Sequence, residues 1–114
     1  MSIGESRLGS RYRTAMLKDT DRQALLTKTR SLRKRLMNAA TGFREDLDRG
    51  ARASFLTCDL LHDEHNLRKA LMMITAPDSD AGTKIRCRKI AGQIERRLAR
   101  ETTDALSFLA DNGF

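Results

Sequence analysis

A single proline, Pro77, stands in 114 residues, and on either side of it the apolar residues return every three, four or seven positions. Few features constrain a fold more. A strand shows the same face every second residue, whereas a helix shows it at intervals of three and four. Leu25, Leu32, Leu36, Phe43 and Leu47, with Thr29 and Ala40 between them, therefore trace one face of a helix for about six turns. Thr41-Gly42 marks a kink or a break in it. A further helix is predicted to start after Asp48-Arg49-Gly50 and to run through Leu56, Leu60, Leu67, Leu71 and Ile74 to a stop at Ala76-Pro77. Residues 75 to 82 hold Pro, Gly, Ser and two aspartates, and read as a loop. Beyond it, Cys87, Ala91, Ile94, Leu98, Ala105 and Leu109 mark a last helix that Asn112-Gly113 would close with a left-handed residue.

Gly4, Gly9 and the polar composition before Arg11 predict a flexible N-terminal segment over 1–10, firming into a short helix around Leu8, Tyr12, Ala15 and Met16. Nothing reads as a strand. The expected fold is all-α: one domain over 1–114, built as an antiparallel bundle of about four helices, with dimerisation as a way of completing it.

Hydrophobic residues make up 39% of the chain, enough for a modest core and against disorder. No apolar run is long enough for a membrane span, and Met1-Ser2-Ile3-Gly4-Glu5-Ser6-Arg7 lacks an apolar signal core, so a cytosolic protein without membrane insertion is expected. Cys58 and Cys87 lack Cys-x-x-Cys spacing and read as two free thiols. The net charge of +7 implies an acidic partner: nucleic acid, a membrane surface or the acidic pocket of a signalling protein. Residues 1–50 and 83–114 are basic and the stretch between them is acidic, which differs from the uniform basic stripe of a strong nucleic-acid binder. No Gly-rich phosphate loop, Gly-x-Ser-x-Gly elbow or His-Glu-x-x-His motif occurs.

Asp19 and Gln23 stand four residues apart and project from one helical face. A fixed carboxamide can orient water for in-line attack on a phosphoryl group, while a nearby carboxylate engages the lysine or metal serving that group. A second reading stays open. Thr20-x-x-Gln23 ahead of Leu25-Leu26 also matches a capping box, which requires the helix to begin at Thr20.

The Asp-x-x-x-Gln pair resembles that of CheZ-type chemotaxis phosphatases, helical bundles that act on a phosphorylated response regulator of the CheY type. The resemblance implies that Gln23 aligns the attacking water and Asp19 contacts the regulator's lysine, as the catalytic residues of a weak protein-aspartyl-phosphate phosphatase. Arg22, Arg30, Arg33 and Lys34 would supply a basic surface that attracts the regulator's acidic pocket. The resemblance also implies no cofactor of the chain's own, with Mg²⁺ supplied by the regulator. Small accessory proteins of chemotaxis operons carry this pair, and another adaptation enzyme of the pathway is a further expected partner.

Other segments offer alternatives. His65-Asn66-Leu67-Arg68-Lys69-Ala70-Leu71-Met72-Met73-Ile74 resembles the phospho-accepting helix of histidine kinases, which would make an exposed His65 a phospho-acceptor flanked by Arg68 and Lys69. The bland reading is a solvated histidine on an amphipathic helix. Cys58, His62 and His65 share a helical face that could offer ligands to zinc, yet one straight helix rarely wraps three ligands around a small ion, and no metal site is expected. The basic clusters Arg30 to Arg35 and Lys84 to Arg100 keep a helical nucleic-acid-binding regulator as the alternative function. Leu67-Arg68-x-Ala70-Leu71, Pro77, Lys84 and Leu106 to Gly113 are similar to the helical domain of the ATP synthase delta subunit, a bundle that grips a partner's helix.

Overall fold

The computed structural model describes residues 19–114. Three α-helices follow one another: α1 over Asp19–Gly42, α2 over Leu47–Thr75 and α3 over Ala81–Asp111, with no strand among the described residues. The expected segment over 1–10 and the short helix around Tyr12 lie outside the described residues. The described part is thus a three-helix arrangement, and the expectation of about four helices is corrected to that extent.

Each boundary has a local cause. Phe43, Arg44 and Glu45 form a turn after Gly42, and the Asp46 carboxylate accepts the Arg49 backbone N–H at 3.1 Å to cap α2. A cap of this kind contributes about 1 kcal/mol. It starts α2 four residues earlier than the Asp48-Arg49-Gly50 turn signal predicts, so Gly50 falls inside the first turn of the helix. Leu47 becomes the first residue of α2 and stands 82% exposed rather than continuing the α1 face. Pro77 follows the end of α2, where its missing N–H costs no helical bond. Asp80 caps α3 by accepting the Thr83 N–H at 2.7 Å, and this bond holds its carboxyl below the usual aspartate range. At the far end Gly113 adopts φ 80°, the left-handed residue the Asn-Gly pair predicts, while Phe114 N–H bonds Leu109 O at 2.8 Å.

The helices run up, down and up. Arg33 of α1 reaches Glu64 of α2, Arg97 of α3 reaches Asp63, and Phe43 at the end of α1 meets Phe108 near the end of α3 with ring centroids 5.8 Å apart. α2 packs along both neighbours, which touch each other far less. Leu26, Leu32 and Leu36 of α1, Leu56, Leu60, Leu67 and Leu71 of α2, and Ile94, Leu98 and Leu109 of α3 form the buried centre. Leu26 takes the buried place and Leu25 only flanks it. No helix among the described residues is long and apolar enough to cross a membrane.

Candidate functional site on the outer stripe of α1

α1 carries the Asp19/Gln23 pair. Both residues lie within the helix, and Thr20 between them is helical too. A capping threonine stands outside the helix it caps, so Thr20 does not hold the position that the capping box assigns it. Gln23 is exposed and faces solvent. Positions 19, 23, 30 and 34 follow one another at intervals of four, seven and four, which keeps them on one stripe of the helix. Arg30 and Lys34 on that stripe are exposed, and Met37, one turn on, is 51% exposed. From Gln23 to Lys34 the stripe is about 16 Å long at the helical rise. It presents a carboxamide, two cations and an apolar thioether in a line.

Two of the four expected surface arginines and lysines are placed differently. Arg22 is 1% exposed and forms an ion pair with Glu95 of α3, itself 4% exposed, so it belongs to the interior and not to a basic surface. Its position explains this: Arg22 precedes Leu26 and Thr29 at intervals of four and three, on the buried face. Arg33 is half-buried against Glu64, with N–O distances of 3.4 and 3.5 Å to the two carboxylate oxygens. Only Arg30 and Lys34 remain as free-standing cations beside Gln23 among the four.

His65 is exposed on α2, with Leu67, Leu71 and Ile74 turned into the core. Its neighbour Arg68 donates to Glu64 at 2.9 Å, leaving Lys69 as the exposed cation of that pair. His62 and Asn66 hydrogen-bond to each other at 3.1 Å. Among the described residues no group of three His, Cys, Asp or Glu side chains is arranged to hold a metal ion.

The charged seams between helices were not singled out from the sequence. Glu64, 1% exposed, faces α1 and accepts from Arg33 and Arg68. Asp63, 2% exposed, faces α3 and accepts from Arg97 at 2.9 and 3.3 Å, which raises the arginine's already high pKa. Glu101, one turn beyond Arg97, is pushed up to about 8, first by burial, then by its hydrogen bond to Asp63 and by the charges of Asp63 and Asp59. A carboxyl that shares a hydrogen bond with another carboxylate must hold the proton. The signal was present, because Asp63 and Glu64 occupy the gap between Leu60 and Leu67 where the helical period puts a buried residue.

No protein-family model matches the chain, and no curated protein or solved structure shows significant similarity to it.

Proposed function

We propose that the protein is a regulator of two-component signalling, of the chemotaxis kind, that binds a phosphorylated response regulator and hastens loss of its phosphoryl group. The observation that carries this reading is the exposed Gln23 on a helix that already includes Asp19 and Thr20. Gln23 orients a water whose oxygen attacks phosphorus; the phosphorus bond to the regulator's aspartate breaks, releasing inorganic phosphate and the free carboxylate. Asp19 contacts the lysine of the regulator's pocket, and the regulator brings its own Mg²⁺. Arg30 and Lys34, on the same stripe, draw in the acidic partner. With its chemistry limited to water positioning, the acceleration is modest, and a second protein of the same pathway is a natural further partner.

The test is decay of the phosphorylated cognate regulator with wild type, Asp19→Ala and Gln23→Ala. Gln23→Ala is expected to abolish the acceleration, since the water-positioning group is gone, and Asp19→Ala to reduce it at least about tenfold. Equal decay with and without the wild-type protein removes the reading.

A second reading rests on α3. Arg86, Lys89, Arg96 and Arg100 are all exposed and, at intervals of three, seven and four, share the outer face of that helix. Such a row suits the phosphates of a nucleic acid. Binding of that origin would weaken steeply with salt in a gel shift, and no shift at low salt removes it.

A further inference from the structure

On the side of α2 that meets α3, no α1 residue lines the surface, and a groove of ≈ 320 Å³ opens between these two helices. Ala70 and Ile94 are buried in it, and Cys87 is half-buried. Met73 and Ile90 stand on either side of it, 46% and 48% exposed. These side chains recur at intervals of three, four and seven along both helices, so the groove follows the helix axes instead of forming a round pit. Over Asn66 to Met73 it is about 10 Å long, or two helical turns. Apolar side chains left open along a straight furrow in this way fit the apolar face of one more helix.

The charges choose the kind of helix. Lys69 and Arg97 border the groove, and no acidic residue lines it. Arg86, four residues before Ile90 and therefore on its face of α3, is exposed and extends the positive border, as does exposed Lys89. A second copy would bring the same positive border to this surface, on a chain whose net charge is +7. A nucleic acid would meet the cations but leave Met73 and Ile90 uncovered. We infer that the groove between α2 and α3 docks an acidic amphipathic helix of a partner protein, which sets its apolar residues at i, i+4 and i+7 against Met73, Ile90 and Ala70 and its carboxylates against Lys69 and Arg86. This site is separate from the α1 stripe and does not depend on the phosphatase reading.

The probe is a labelled acidic peptide of about sixteen residues, or about four helical turns, with leucines at i, i+4 and i+7 among glutamates and alanines. Its control is a peptide of the same composition with the leucines made consecutive. Full-length protein is expected to bind the periodic peptide at least about tenfold more tightly than the control. Ile90→Glu is expected to erase that preference, and Lys69→Glu to weaken binding about threefold or more while flattening its salt dependence. Both side chains are exposed enough for the variants to fold, which circular dichroism checks. In a Cys58→Ser background, saturating peptide is expected to protect Cys87 from alkylation. Equal affinity for both peptides, no effect of Ile90→Glu, or alkylation of Cys87 at an unchanged rate overturns the proposal. So does sedimentation showing a dimer of the protein that Ile90→Glu dissociates, which would assign the groove to a second copy.

Discussion

Asp63 and Glu64 are neighbours in sequence and both are buried, yet they meet opposite electrostatic situations. Successive residues on a helix point about 100° apart, so Glu64 turns toward α1 and Asp63 toward α3. At the α1/α2 seam one carboxylate meets two guanidinium groups, Arg33 and Arg68. At the α2/α3 seam one guanidinium, Arg97, meets Asp63 and Glu101, and Asp59 adds a further negative charge near Glu101. The first seam has cation to spare. The second has more acid than cation and relieves part of the excess by holding a proton on Glu101. Similar composition thus yields an arginine-rich contact on one flank of α2 and, on the other, an acid-rich one in which Glu101 is pushed up to about 8.

The comparison can be broken most severely at Glu64. Glu64→Ala strands two arginines, one of them half-buried, and is expected to cost about 3 kcal/mol or more in chemical denaturation, because removing one member of a buried pair exposes the desolvation cost of the other. The next effect is a pH dependence. Glu101 has a folded-state value of about 8 against an ordinary 4.5, so the folded protein holds this proton more tightly than the unfolded chain. Its stabilising contribution is complete below pH 4.5 and is lost as pH rises through about 8. Glu101→Gln keeps a hydrogen-bond donor without the charge. Thermal melts are expected to show the variant matching wild type near pH 5 and exceeding it at alkaline pH, by about 1 kcal/mol once solvent screening at a partly exposed site is allowed for. A variant that tracks wild type at every pH would place the excess charge elsewhere. Arg68→Ala gives the smallest change, about 0.5 kcal/mol, because its side chain is 42% exposed and Arg33 still serves Glu64.

Periodicity made much of this fold legible. Leu32 and Leu36 in α1, Phe43 just beyond its end, and Leu56, Leu60, Leu67, Leu71 and Ile74 in α2, are buried where their spacing predicts. The break between α1 and α2 was harder to place, since Leu47 continues the α1 spacing while Asp46 supplies a cap that ends it. The interior arginine was illegible for a different reason. Arg22 sits at a core position, yet what makes a charge tolerable there is Glu95, 73 residues away, and no local pattern links the two. Gln23 was visible as one half of a spaced pair. The groove between α2 and α3 was not, because it arises from two helices whose side chains only meet after folding.

α2 is consequently indexed in two directions at once. Turning it about its own axis to improve one seam would swing the other carboxylate away from its arginine, and sliding it by a turn would move Asp63 and Glu64 together past Arg97 and Arg33. Leucines alone tolerate such slippage, since one apolar side chain replaces another at little cost. The paired carboxylates remove that freedom. They act as a registration key that fixes the azimuth and height of the central helix, and through it the position at which α1 displays Gln23.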